Sequence, residues 1–232
     1  MRGHPGHGCF WEAYRQSPGL SSSGALCAII AWRSSLRRHA QAALLLVCLP
    51  TARLETPTDT WMRTYDGLIS SDSLTACELQ DADTIPRLAP DCQLLRKPIA
   101  PIGKDGAYVL ATLFASPSCA LIAAQLEQQD FDDHGVTLLA ESLFENKRLS
   151  LLDVHYNGIT AMGAASLAAM LKRNKGLRWL DLRINEVGDV GAEAISTSLK
   201  TNVWLQWLNL ESNGIGEKGG IALAGKRESP SR

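Results

Sequence analysis

Apolar positions in the second half of the chain recur at a fixed interval. Three stretches that begin at Leu149, Leu177 and Leu205 align without a gap, each 28 residues after the last. Each opens with apolar residues at the same offsets: Leu149, Leu152 and Val154; Leu177, Leu180 and Leu182; Leu205, Leu208 and Leu210. The last two of each set alternate with polar or aromatic residues, which is the period of a strand. An asparagine follows (Asn157, Asn185, Asn213), then an apolar residue two places on (Ile159, Val187, Ile215) and a glycine four further (Gly163, Gly191, Gly219). Beyond the glycine the period changes. Ser166, Leu167 and Leu171, like Ala194, Ile195 and Leu199, share one helix face. Asn174 and Asn202 stand where these helices end, and asparagine tolerates the left-handed cap conformation. Each unit therefore reads as a short strand, a turn and a helix. A period of this size stacks into a solenoid.

The turn asparagines Asn157, Asn185 and Asn213 are read as a structural ladder. A side-chain amide carries donors and an acceptor, and so can satisfy loop backbone groups that no sheet pairs. The helices are rich in alanine, which lets neighbours lie close. Stacked strands sit about 4.8 Å apart and helix axes about 8–10 Å apart. The mismatch bends the stack and puts the strands on its inner wall.

The pattern LxxLxLxxNxIxxxG followed by a helix resembles the leucine-rich repeat. Its 28-residue unit and alanine-rich helix are similar to the ribonuclease-inhibitor-like class. That class includes ribonuclease inhibitor, the repeat domains of NOD-like receptors and Ran GTPase-activating proteins. The resemblance implies an α/β horseshoe, with parallel strands on the concave face and helices on the convex face.

Weaker copies extend the array toward the N-terminus. In residues 121–148, Phe131 takes the place of Ile159, Gly135 that of Gly163, and Gln129 that of the asparagine. Leu138, Leu139 and Leu143 supply the helix, and Asn146 its end. Residues 92–120 read as a degenerate first copy, its strand half near Leu94 and Leu95 broken by Pro98 and Pro101. The repeat domain is thus expected over 92–232, as 92–120, 121–148, 149–176, 177–204 and 205–232. The last helix is short, and no polar capping repeat follows it.

Residues that flank the strand leucines form columns on the inner wall. One column is Ala123, Leu151, Trp179 and Trp207; the next is Gln125, Asp153, Asp181 and Asn209; the third is Glu127, His155, Arg183 and Glu211. Exposed tryptophans beside arginine and aspartate have the composition of a protein-binding hot spot. The expected partner-binding residues are Leu151, Asp153, His155, Trp179, Asp181, Arg183, Trp207, Asn209 and Glu211. A plainer reading also stands, in which the aromatics merely cover the sheet. His155 among Asp153, Asp181 and Arg183 does not read as an acid–base site, because a flat wall excludes no water.

Charge divides the first ninety residues. Residues 1–54 hold six arginines, no lysine and one acid, Glu12; residues 55–91 hold eight acids and two arginines. The basic segment carries two short apolar runs, Ala25–Trp32 and Ala42–Leu49. It is open to three readings: an organelle transit peptide, a late secretory signal, or a poorly ordered extension with no address. Residues 55–91 read as an acidic linker with one short capping helix over Leu68–Leu79. Neither apolar run approaches the roughly 20 residues of a membrane-spanning helix.

Residues 92–232 contain 15 basic and 15 acidic residues, which is no electrostatic footprint for nucleic acid. The six cysteines show no CxxC and no Cys/His pairing that resembles a structural zinc site; His4, His7 and Cys9 lie close together but lack a further ligand and a rigid frame, so no metal is expected. Reduced thiols in a cytoplasmic protein are the expectation. There is no phosphate loop, no GxSxG elbow and no HExxH motif, and no cofactor is expected. The function expected is a non-catalytic module binding a partner protein on its concave face. The resemblance to Ran GTPase-activating proteins implies an alternative, a regulator that acts by stabilising the GTPase's own catalytic groups.

Overall fold

The computed structural model describes residues 74–225 apart from residue 89, together with the backbones of two N-terminal strands, β1 (Cys27–Arg33) and β2 (Ala42–Cys48). Six further strands follow: β3 (Ala76–Cys77), β4 (Leu94–Leu95), β5 (Ala123–Gln125), β6 (Leu151–Asp153), β7 (Trp179–Asp181) and β8 (Trp207–Asn209). Helices alternate with them: α1 (Gly103–Ala115), α2 (Asp132–Ser142), α3 (Ala161–Arg173), α4 (Gly188–Leu199) and α5 (Glu217–Ala224). Strands β3 to β8 pair in parallel, each with the next. Consecutive helices pack side by side behind them. This is the predicted α/β solenoid.

The strand register reproduces the columns read from the repeat. Ala123, Leu151, Trp179 and Trp207 are neighbours across the sheet, as are Gln125, Asp153, Asp181 and Asn209. The residue between them faces the helices. Leu152, Leu180 and Leu208 have no exposed surface, and with Val154, Leu182 and Leu210 they form one continuous core. The helices close this core with Leu139, Leu167 and Ile195.

Asparagine side chains stitch both ends of strands β6, β7 and β8. On the strand-to-helix side, Asn185 Oδ1 accepts from the amides of Asn157 and Ile159, while its Nδ2 donates to the carbonyls of Val154, Leu182 and Arg183. Asn157 repeats the pattern with Gln129 and Phe131. Gln129 extends the ladder, its Oε1 accepting from the Ile102 amide. On the helix-to-strand side the sequence places left-handed caps at Asn174 and Asn202. The structure differs there, since Asn174 is extended at φ −66° and ψ 133°. Its amide donates to the carbonyls of Leu143 and Asn146 and accepts from Gly176 and Leu177. Asn202 does the same one repeat on, with Leu171, Asn174, Trp204 and Leu205. Bonding to the adjacent repeat satisfies several buried groups at once, whereas a left-handed cap serves only its own helix.

Helix starts are held between repeats as well. Asp133 Oδ1 accepts from the amides of Thr160 and Gly163 in the following repeat, and Asp189 Oδ1 from those of Gly216 and Gly219. The glycine is what admits the carboxylate. A Cβ at residue 163 would lie 2.5 Å from Asp133 Oδ1 and 2.8 Å from Ile159 Cγ2.

The N-terminal segments depart from expectation. Within the stretch read as a short helix, Ala76–Cys77 is strand β3, and a 3-10 helix follows at Ala82–Arg87; residues 68–73 lie outside the described residues. The physical reason is the edge of β4, whose backbone groups bond to Thr75 and Cys77 and reward a strand over a weak apolar stripe. Leu79 and Ile85 are buried against the core, so this segment is one more abbreviated repeat. Residues 1–54 read as irregular, yet the two apolar runs there supply β1 and β2. They pair antiparallel, and β1 runs parallel to β8, so the sheet order is β2-β1-β8-β7-β6-β5-β4-β3. The rest of that segment, and with it each targeting reading, lies outside the described residues. The expectation of reduced thiols also meets a correction. Cys77 and Cys92 form a disulfide with Cα atoms 5.9 Å apart, because pairing of β3 with β4 brings the two together. Cys119 is a buried free thiol.

Candidate interaction surface on the concave wall

Strands β6, β7 and β8 each end at an aspartate or asparagine whose side chain turns back on the chain. Asp153 Oδ1 accepts from the amide of His155, Asp181 Oδ1 from that of Arg183, and Asn209 Oδ1 from that of Glu211. A short polar side chain can cap a strand in this way and start the turn. The second column of the wall is therefore structural from β6 to β8, where Asp153, Asp181 and Asn209 are buried, with 2%, 2% and 5% of their surface exposed.

The first column is closed in too. The sequence puts Trp179 and Trp207 on a solvated face as anchors. In the structure they are 5% and 6% exposed, and Leu151 is 1% exposed. The two indoles stack on adjacent strands with centroids 4.4 Å apart and planes at 25°. With Leu94, Ala123 and Leu151 they make a second apolar cluster on the concave side of the sheet, against which Leu74 packs. Offset stacking of large flat rings removes the area that an anchor needs to offer.

What remains open is the third column. His155 keeps 23% of its side chain exposed and Arg183 35%; Glu211 is half-buried. His155 Nδ1 lies 2.7 Å from Asp153 Oδ1, and Arg183 Nε lies 2.9 Å from Asp181 Oδ2. The two carboxylates are register partners on neighbouring strands. Burial, then the charge of Asp153, pushes the Asp181 carboxyl up to about 6 against the pull of Arg183. The hydrogen bond to Asp153 raises His155 above its ordinary value, against burial. One strand away, burial raises Glu127, whose Oε2 is enclosed with no hydrogen-bond partner. Ligand atoms of Asp153, His155 and Asp181 lie within 4.8 Å of one another. Each carboxylate already has a donor on it, so the group works as an internal charge network.

Of the nine residues read as partner-binding, six are buried parts of the wall: Leu151, Asp153, Trp179, Asp181, Trp207 and Asn209. His155, Arg183 and Glu211 face solvent in part. Just beyond them stand two residues the sequence reading passed over, Tyr156 and Ile184, which are 53% and 49% exposed. Their signal was visible, since both precede the turn asparagine and differ from Gln128 and Ser212 at the same repeat position.

Comparison with known proteins agrees with this architecture. A family model described as Leucine Rich repeat matches residues 173–196 and 201–224. The chain is a leucine-rich repeat protein. No curated protein matches it significantly. Among solved structures, this leucine-rich repeat protein is similar to "Leiomodin-1 Actin-Binding Site 2 (ABS2)", at 19% identity and a TM-score of 0.50, over 56% of this chain and 76% of that one. At that identity the likeness is one of fold. Among the described residues no helix is long and apolar enough to cross a membrane.

Proposed function

We propose that this leucine-rich repeat protein is a non-catalytic module that binds a partner protein through its repeat surface. The observation that carries the reading is the build of the stack. Strand ends, turns and helix starts are cross-bonded between repeats, so the surface is preorganised and little ordering entropy is lost on binding. The part of the repeat surface that serves the partner starts at the outer column of the concave wall, His155, Arg183 and Glu211, and continues onto the loops that follow it. The buried tryptophans support that column from beneath and do not touch the partner.

The test is a stoichiometric complex. The full-length chain, with a cleavable tag, is used to isolate a partner that co-elutes on size exclusion and crosslinks within residues 92–225. Purified actin filaments serve as one defined probe, because the similar solved structure is titled an actin-binding site; co-sedimentation would name the partner. Acceleration of single-turnover GTP hydrolysis by a panel of small GTPases would replace this reading with the GTPase-activating one. Failure to form any complex would remove the module reading altogether.

A further inference from the structure

Two of the strand-to-helix loops carry side chains that the fold does not require. The position before the turn asparagine is left-handed in four repeats, Gln128 and Ser212 included, and the central two fill it with Tyr156 and Ile184, at φ 56° and 52°. A β-branched residue there is strained, and glycine or asparagine would fit without cost. Both side chains are also about half exposed. The same repeats place Met162 and Val190 at the starts of α3 and α4, 73% and 72% exposed. Repeats on either side carry polar residues at these positions, Gln128 and Ser212, His134 and Lys218. At these two positions the apolar surface is therefore confined to the two central repeats.

Between the loops lies a groove of about 490 Å³ lined by Tyr156 and Ile184 together with Asp130, Asp132 and Glu186. That volume is within the roughly 300–1,000 Å³ of ligand clefts. Among the described residues, no lysine, arginine or histidine lines it. The nearest cations along the chain, His155 and Arg183, are turned to the wall and held by Asp153 and Asp181. Asp132 Oδ1 accepts from the amides of His134 and Gly135, so the groove offers apolar contact beside two carboxylates, Asp130 and Glu186, with no cation on them among the described residues.

Resting on the module reading, we infer that this loop rim is the docking site, and that its occupant is a segment of a partner protein carrying arginine or lysine beside apolar side chains. Complementarity of charge selects that chemistry. A cation at the groove meets Asp130 and Glu186, while its apolar neighbours cover Tyr156 and Ile184.

The experiment uses the full-length chain, labelled for amide NMR, and short synthetic peptides. A peptide of leucine and arginine should shift the amides of Tyr156, Gly158, Ile184 and Glu186. A peptide of leucine and glutamate should leave them unmoved, and one of serine and arginine should bind about tenfold more weakly. Ile184→Gly paired with Glu186→Gln should weaken the leucine–arginine peptide by about tenfold or more. Glycine accepts the left-handed backbone, so this variant stays folded and its loss reads binding. Shifts confined to the concave strands, or equal affinity in the variant, would overturn the proposal. A captured partner whose affinity the variant leaves unchanged would sink the rim and keep the module; absence of any partner sinks the module itself.

Discussion

Two single residues in this molecule are held in states that cost stability, and each makes a measurable prediction. Asp181 has an ordinary carboxyl value of 3.8 and is pushed up to about 6 in the fold. The folded state therefore holds the proton more tightly than the unfolded one. The stability contributed by this group is complete below about pH 4 and is lost as pH rises through about 6. His155 is raised as well, so its contribution also fades as pH rises past its folded value. The groups facing the pair are Asp153, Arg183 and Glu127, with Lys97 acting on Glu127. The melting temperature should accordingly fall between about pH 4 and about pH 6 as Asp181 ionises, by the equivalent of roughly 2–3 kcal/mol. Asp181→Asn keeps an acceptor for the Arg183 amide and should flatten the profile; equal slopes in both proteins would refute the assignment. Ile184 pays in backbone conformation. Replacing it by glycine should raise stability by about 1 kcal/mol in denaturant titration, and a loss would show that its side chain is packed where it stands.

Elements here are short, and what fixes them is bonding between repeats. Strands of three residues would not persist alone. Asn185 satisfies two amides and three carbonyls, all in a dry loop layer. Leaving such groups unpaired costs about 1–3 kcal/mol each, so Asn185→Ala should lower stability by about 3 kcal/mol or more. Asp189→Ala removes a helix-start acceptor and should cost less, about 1–2 kcal/mol, with faster amide exchange at Gly216 and Gly219 as the local mark. At this scale the repeat period made the strands, turns and helices of residues 121–224 legible, because each apolar offset recurs in a fixed role. The bonding partners were less legible. Asn174 and Asn202 have the right position for a helix cap, and only the neighbouring repeat's open carbonyls show why they bond outward instead. The strands Ala76–Cys77 and Cys27–Arg33 left no period at all. They exist because a sheet edge accepts any extended segment, which is a property of the edge and not of the segment.

The described repeats form a one-dimensional stack, and the tryptophan pair shows what that implies. Composition alone pointed to Trp179 and Trp207 as binding anchors, because aromatic residues near arginine look alike whether they face a partner or each other. Burial separates the two cases, and so does a substitution. An exposed anchor truncated to alanine loses binding and leaves stability nearly unchanged. A stacked, buried pair loses stability first: Trp207→Ala should cost about 3–5 kcal/mol, a large part of the roughly 5–15 kcal/mol that holds an ordinary domain. In a stack with nearest-neighbour coupling the loss should not spread evenly. Hydrogen exchange should show β7, β8 and α5 losing protection while β5, β6, α2 and α3 keep theirs, and Trp207→Phe, which retains a ring over Trp179, should restore much of it. Uniform loss along all repeats would mean that the array melts as one unit. Full protection in Trp207→Ala would mean that the indole contributes nothing to the wall and is free to serve a partner.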